Sequence, residues 1–111
     1  TRALQIISIG QFRPEKNHRL QIDAFVKFLY HVKRKPASAI YPRLSELKLV
    51  LLGASRNAGD ASRVDALRSH IASKSPSFEK IFGYPLSRHI EFVINAPYAT
   101  LERRLSESLI G

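Results

Sequence analysis

The stretch that decides the fold is residues 6–18, IISIGQFRPEKNH. A largely apolar, β-branched run ends at Gly10, which is typical of a buried strand followed by a turn. A short loop with Arg13 and Lys16 follows, and a helical pattern begins at His18. Free N–H groups at a helix start attract anions, and parallel α/β proteins bind ligands at the carboxyl ends of strands. The order of strand, cationic loop and helix therefore predicts an anion site.

Four short apolar runs are predicted as strands, because each is long enough for a buried strand and too short for a helix. They cover residues 4–9, 47–52 and 90–94, and residues 109–111 would open the fourth. The order β-α-β-α-β-α-β is the signature of a parallel sheet with right-handed crossovers. The sequence thus predicts an α/β fold with a Rossmann-like parallel sheet.

Helices are predicted between these strands, where apolar residues recur at spacings of three and four. The first covers residues 18–33 with Asn17 as its N-cap, and the second begins at a cap on Asp60. The third follows Pro97. Residues 36–42 are predicted as a loop, and residues 75–88 as an irregular connection with at most a short helical turn.

Composition limits the classes of partner and chemistry. The 111 residues suit one domain, and 18 Lys and Arg against 9 Asp and Glu give a net charge of +9. This charge favours an anionic partner: nucleic acid, an anionic membrane surface or a phosphorylated ligand. A tight cluster, Lys33-Arg34-Lys35, ends the first predicted helix, where cations suit the helix dipole in any case.

Several classes of protein and site are excluded. The absence of cysteine excludes disulfides and thiolate metal sites, and no apolar run is long enough to cross a bilayer. The glycine patterns of dinucleotide and Walker A loops are missing, as are the motifs of zinc proteases and serine hydrolases. A chain that contains no methionine is expected to be a piece of a longer protein.

The four histidines have no metal-ligand spacing. His18, near the start of the first predicted helix, is placed to touch a ligand. Surface or packing roles fit the other three, His31, His70 and His89, better than metal ligation does. The sequence thus predicts no metal centre.

Residues 9–18, IGQFRPEKNH, with residues 20–25, LQIDAF, resemble the start of the C-terminal domain of GT-B glycosyltransferases of family 4. The family pattern there is G-R-L-x-P-E-K-G, followed by a helix with A-F in its first turns. The Q-F-R-P-E-K variant resembles a eukaryotic branch of α-1,2-mannosyltransferases that extend dolichol-linked oligosaccharide. Residues 47–53, 56–57 and 91–98 agree with it. The resemblance implies that residues 1–111 are part of a nucleotide-sugar-binding domain.

The resemblance also implies a role for particular residues. Lys16 matches the lysine that grips the donor pyrophosphate, and Gly10 matches the glycine that lets the donor approach the backbone. The family arginine is replaced by Gln11, and Arg13 is the candidate to supply its charge. A second segment lines the base pocket through backbone groups: Asn95, Ala96 and Pro97.

The implied activity is a retaining transfer of mannose from GDP-mannose, with no cofactor and no divalent metal. The acceptor is a lipid-linked oligosaccharide bound through an N-terminal domain outside this chain, on the cytosolic face of the endoplasmic reticulum membrane. In this family two glutamates, separated by seven residues, follow the fourth strand and hold the ribose and the sugar of the donor. In this sequence they would come after residue 111. This chain alone is therefore expected to be inactive.

Two other interpretations of the positive charge stay open. A basic α/β module without enzymatic activity would bind nucleic acid. A basic face would also dock on anionic lipid headgroups, which is compatible with the glycosyltransferase interpretation. The placement of Arg13 and Lys16 at a strand end favours the nucleotide sugar over nucleic acid.

Overall fold

A computed structural model describes residues 3–10, 12, 17–55 and 57–110 of the chain. Within these residues the predicted alternation of strands and helices is confirmed. The elements are β1 (Ala3–Ile9), α1 (His18–Lys33), β2 (Lys48–Gly53), α2 (Ala58–Phe82), β3 (Ile90–Ile94), α3 (Tyr98–Glu107) and β4 (Ser108–Ile110). Short 3-10 helices, Tyr41–Glu46 and Leu86–His89, precede β2 and β3. None of the described helices has both the length and the apolar character needed to cross a membrane.

The strands form one parallel sheet with the order β3-β2-β1-β4. Gln5 lies opposite Lys48 where β1 meets β2, and Leu49 lies opposite Ile90 where β2 meets β3. The chain moves outward from β1 to β3 and then returns past β1 to β4. Such a reversal opens a crevice at the carboxyl ends of the two strands beside it. The loop after β1 therefore starts at that crevice.

The main core lies between one face of the sheet and the two helices α1 and α2. Its most deeply buried members are Phe12, Ile22, Leu29, Leu51, Phe78 and Leu86. A smaller cluster, Ile7, Val50 and Leu52 with Val93 packed against it, occupies the other face. Ile7, Val50 and Leu52 are at most 6% exposed, so this face of the sheet is covered as well. Both faces of the central strands are thus covered, as their continuous apolar sequences predict.

The start of α1 matches the prediction, although Asn17 does not cap it as expected. Asn17 has left-handed backbone angles, φ 52° and ψ 47°, and its side chain makes no capping hydrogen bond. A side-chain cap needs extended backbone angles at this position. The loop predicted over residues 36–42 is only partly confirmed, because it passes into the 3-10 helix at Tyr41.

The start of α2 corrects the predicted cap. Asn57, and not Asp60, is the N-cap: its side-chain oxygen accepts a hydrogen bond of 2.9 Å from the Asp60 N–H. Asp60 lies in the first turn, where its carboxylate is buried and pairs with Arg63 at 3.6 Å. A carboxylate in a first turn complements the helix dipole.

The second half of α2 contradicts the irregular connection predicted over residues 75–88. The helix continues past Pro76 and ends at Gly83, whose φ of 84° is left-handed. Phe78 and Phe82 are both buried and stack with ring centroids 3.9 Å apart. Burial of each phenylalanine contributes about 1.5–3 kcal/mol, which together offsets the roughly 3 kcal/mol cost of an interior proline.

Gly53 ends β2 at a point where two backbones touch. A Cβ atom at this position would lie 1.9 Å from the carbonyl oxygen of Gly10 and 3.1 Å from the ring of Phe12. No side chain fits such a gap, so only glycine allows the two chains to approach.

Replacing Gly53 by alanine should therefore separate the ends of β1 and β2. We expect Gly53→Ala to lower the free energy of unfolding by roughly 1–3 kcal/mol, measured by urea denaturation. The matched control is Gly59→Ala in the first turn of α2, where the nearest atom to the new Cβ is the Asn57 side-chain oxygen at 3.2 Å. The control should change stability by less than about 1 kcal/mol, since alanine favours helix. Equal effects of the two substitutions would contradict the backbone contact.

His89 is a fully buried histidine in the main core. Its Nδ1 lies 2.6 Å from the carbonyl oxygen of Leu47, and its Nε2 lies 2.9 Å from the hydroxyl of Tyr84. A carbonyl only accepts, so Nδ1 carries the proton and Nε2 accepts from the hydroxyl. Burial lowers the pKa of His89, although the Leu47 hydrogen bond acts in the opposite direction. The folded protein therefore holds this imidazole neutral.

The lowered pKa makes stability depend on pH. Below the ordinary histidine pKa of about 6.5, the unfolded chain takes up a proton that the folded chain excludes at His89. The free energy of unfolding should fall as the pH decreases from 7 to 5 and should have a flatter slope in His89→Gln. The control His31→Gln, at an exposed position of α1, should keep the original slope. A wild-type slope in His89→Gln would show that another group is responsible.

Candidate functional site

The carboxyl edge of the sheet is the place where three loops meet. Backbone hydrogen bonds join them: the Gly10 N–H donates to Leu52 O at 3.0 Å, and the Asn95 N–H donates to Gly53 O at 2.9 Å. Each loop leads into the start of a helix, α1, α2 or α3. In a parallel sheet these three helix N-termini lie at the same edge, which makes it rich in N–H donors and in positive potential.

The predicted pyrophosphate grip lies only partly within the described residues. Gly10 is at the carboxyl edge, with its carbonyl oxygen against Gly53. Gln11, Arg13 and Lys16 lie outside the described residues, so their role stays a prediction. Gly10 and Asn17 flank that segment, and they lie at the end of β1 and the start of α1.

The predicted base-pocket segment, Asn95 to Pro97, follows β3 at the same edge. Asn95 has left-handed backbone, φ 56°, a conformation that asparagine tolerates better than most residues. Its side-chain oxygen accepts from the Ser55 N–H at 3.0 Å, and its amide nitrogen donates to Ser55 O at 3.1 Å. The side chain thus clasps the loop after β2. The role of residues 95–97 in a base pocket stays a prediction.

This clasp can be tested with two substitutions at one position. Asn95→Gly should lose only the two hydrogen bonds to Ser55, each contributing about 0.5–1.5 kcal/mol. Asn95→Ala should also carry the cost of left-handed backbone, a further 1–2 kcal/mol or so. We therefore expect the alanine variant to unfold at lower urea concentration than the glycine variant. If the two variants are equally stable, the left-handed conformation of Asn95 is wrong.

A cleft of about 270 Å³ opens between the first turn of α1 and the first half of α2. Its lining consists of Phe12, Asn17, His18, Arg19, Arg63, Ala66, Leu67 and His70. His18, predicted to be placed near a ligand, is buried at the cleft wall with its ring 5.1 Å from that of Phe12. Arg19 and Arg63 both line the cleft, although the charge of Arg63 is paired with Asp60 at 3.6 Å. The cleft lies next to the carboxyl edge.

The remaining histidines have the structural roles that the sequence predicts. His70 of α2 lies 2.6 Å from the Asp23 carboxylate of α1, and Lys74 lies 3.4 Å from the same oxygen. Burial raises the pKa of Asp23, but the hydrogen bond and charge of His70, together with Lys74, outweigh it and lower that pKa. His31 is exposed, and His89 is in the core. No group of three or more potential metal ligands occurs among the described residues.

The fold defines the class of the chain as a doubly wound, parallel α/β domain with a donor-rich carboxyl edge. Comparison with known proteins shows which proteins with similar sequences are known. The chain is similar to GDP-Man:Man(3)GlcNAc(2)-PP-Dol alpha-1,2-mannosyltransferases. Identity is 42% over 106 residues with the Xenopus tropicalis protein, 41% over 107 with that of Homo sapiens and 39% over 111 with that of Dictyostelium discoideum.

These alignments cover 96%, 96% and 100% of this chain, but the chain spans only 18%, 18% and 19% of the relatives. Nearly the whole chain is thus homologous to one segment of these mannosyltransferases. The predicted resemblance to mannosyltransferases of dolichol-linked oligosaccharide synthesis is confirmed. No protein-family model matches the chain, and no solved structure matches it.

Ser55 lies at the candidate site but was not among the residues predicted from the sequence. Ser55 binds the Asn95 side chain through both of its backbone polar groups. The two residues are 40 positions apart, and neither loop contains a local signal for this contact. The one indication of this contact in the sequence is that the two loops follow consecutive predicted strands, which are neighbours in the parallel sheet.

Proposed function

We propose that this chain is part of the donor-binding domain of a retaining glycosyltransferase that moves mannose from GDP-mannose to a dolichol-pyrophosphate-linked oligosaccharide. The homology over nearly the whole chain carries this proposal, because the relatives' names specify GDP-mannose, the lipid-linked acceptor and the α-1,2 linkage. The strand order 3-2-1-4 supports a nucleotide-binding domain, since it matches the first four strands of a doubly wound fold. In this proposal the chain is the first portion of a GT-B C-terminal domain.

The donor pyrophosphate would bind beside β1, where the strand order reverses. Lys16 comes just before α1, so its ammonium and the free N–H groups of the helix would face the same phosphate. A retaining transfer leaves negative charge on the departing GDP, and fixed positive groups at that position lower the barrier. The role of Lys16 is therefore electrostatic, with Arg13 supplying the charge that Gln11 lacks. No divalent metal is needed in this arrangement.

The base of the donor would bind at the loop after β3. The clasp between Asn95 and Ser55, with the bond from Asn95 N–H to Gly53 O, holds the backbone of residues 95–97 at the carboxyl edge. The Asn95 N–H is donated to Gly53 O and Pro97 has no N–H, so the backbone donor that this segment would offer to the edge of a base is the Ala96 N–H. Ala96 and Pro97 add small, apolar contact surface. Binding of the acceptor and action at the endoplasmic reticulum membrane are proposed for the whole transferase, of which this chain would be one part.

Binding of nucleic acid is the second candidate, and the arrangement of charges favours it less. Many described cations are engaged within the chain. They form the ion pairs Arg43–Glu46, Lys48–Glu91 and Arg63–Asp60 and lie over rings in the pairs Arg68–Phe92 and Arg88–Tyr84. Single strands are bound by a basic groove with open aromatic faces. Here those two aromatic faces are covered by the chain's own arginines.

The proposal is tested by NMR titration of the isotope-labelled chain with GDP-mannose. The amide signals of Gly10, Asn95 and Ala96 should move. Lys16→Ala should weaken binding roughly ten- to hundredfold, because it removes a hydrogen bond to a charged group. The control, Lys80→Ala in the last turn of α2, should bind like the wild type.

Binding of nucleic acid separates the two candidates, and a transfer assay tests whether the site is incomplete. Duplex and single-stranded DNA should bind more weakly than GDP-mannose and should not depend on Lys16. Equal affinity for unrelated polyanions, with no effect of Lys16→Ala, would favour the nucleic-acid module instead. The chain by itself should show no transfer of radiolabelled mannose, and measurable transfer would contradict the assignment to an incomplete site.

A further inference from the structure

The outer face of α1 carries a regular row of exposed residues that the proposed site does not use. Its members recur at spacings of four and three, which places them on one line along the helix. They are Leu20, Ala24, Lys27, His31 and Arg34, all exposed, and together they form what we term the α1 stripe. Leu20 is 60% exposed, a high value for a leucine. The stripe is thus apolar at its start and basic towards its end.

The charge of this region is one-sided. Residues 24–45 contain five Lys or Arg and no Asp or Glu, so this segment accounts for five of the nine net positive charges. Asp23 precedes it, but its carboxylate is held by His70 and Lys74 of α2. Of the five cations in this segment, Arg43 is paired with a carboxylate, that of Glu46 at 3.2 Å. Lys33 is engaged as well, because its ammonium lies 5.4 Å from the centre of the Phe82 ring. The stripe and Lys35 therefore form a cationic surface in a segment of the sequence that contains no carboxylate.

The helix dipole explains only part of this charge. Cations near the end of a helix are favourable, but the effect falls off within the last turn. Lys27 lies more than one turn before the end of α1 at Lys33. Together with Tyr30, His31 and Arg34 it lines an open, shallow depression of about 460 Å³. The helix dipole therefore does not account for Lys27.

The shape of the surface decides which partner suits it. The ring of Tyr30 packs edge-on against Phe78 and Phe82, at 6.0 and 5.4 Å, so it is not free to stack on a base. The depression that Lys27, His31 and Arg34 line is open and shallow, and it therefore lacks the available aromatic ring on which a single strand would stack. The apolar face of α1 is buried in the core, so an attraction of this surface to a membrane would be mainly electrostatic, between its exposed cations and anionic headgroups, with Leu20 as one apolar contact.

We propose that the α1 stripe docks this protein on the anionic headgroups of a lipid bilayer. Leu20 would enter the interface between headgroups and acyl chains, while Lys27, His31 and Arg34 lie among the anionic headgroups. α1 has 16 residues and is about 24 Å long, so the contact runs along the helix and parallel to the sheet. A bilayer at this face lies beside the carboxyl edge and leaves it open. The inference rests on α1 alone and stands independently of donor binding.

The test is co-sedimentation of the folded chain with vesicles of phosphatidylcholine, with and without phosphatidylserine. We expect binding to the anionic vesicles only. Lys27→Gln/Arg34→Gln should lower the partition coefficient about thirtyfold, since each cation near an anionic surface contributes about a fivefold factor. The matched control, Lys80→Gln/Arg103→Gln, removes the same charge from exposed positions of α2 and α3 and should leave partition nearly unchanged.

A second measurement reports the orientation of the helix. The chain contains no tryptophan, so Leu20→Trp introduces a single fluorescent reporter. Its emission should shift to shorter wavelength with anionic vesicles and stay unchanged with phosphatidylcholine alone. Circular dichroism of every variant verifies that the fold is retained.

Three results would overturn the proposal. One is the absence of binding to anionic vesicles at low salt. Another is an equal loss in the two double variants, which would make net charge and not the stripe responsible. The third is tight binding of duplex DNA at the same salt, lost in Lys27→Gln/Arg34→Gln, without vesicle binding. None of these results depends on whether GDP-mannose binds.

Discussion

The close approach of the Gly10 and Gly53 backbones is the constraint on which the functional edge depends. It lets the hydrogen bonds of the sheet continue beyond the strands, from Gly10 N–H to Leu52 O and from Asn95 N–H to Gly53 O. Three loops are thereby held side by side. Because a Cβ on Gly53 would lie 1.9 Å from the Gly10 oxygen, any side chain there would force the loops apart. The proposed pyrophosphate and base subsites share this one contact.

The helix α1 joins three parts of the protein. Its inner face supplies Ile22, Phe25 and Leu29 to the main core. Its first turn lies at the carboxyl edge, and its outer face carries the α1 stripe. Asp23 ties it to α2 through His70, which fixes the direction in which the stripe points. A single amphipathic helix would thus orient the proposed donor site and the proposed docking surface relative to each other, because both are attached to the same core.

Much of the fold was predictable because the strands are buried on both faces and therefore have continuous apolar sequences. Residues 90–94 and 18–33 were predicted with the observed bounds. The cap of α2 was not, because Asn57 and Asp60 are both good capping residues three positions apart and local chemistry does not separate them. Its extension past Pro76 also escaped prediction, since a proline normally ends a helix and the compensating burial of Phe78 is a tertiary effect.

For the candidate site, the sequence by itself determined which loop is cationic, that this loop follows a buried strand, and to which mannosyltransferases the chain is similar. Those properties depend on residue type and spacing along the chain. Only the tertiary structure decided that Asn95 uses its side chain to hold Ser55 and that Gly53 must lack a side chain. The reason is physical: each of these depends on distances between residues that are far apart in the chain, and such distances exist only when the sheet and helices have packed.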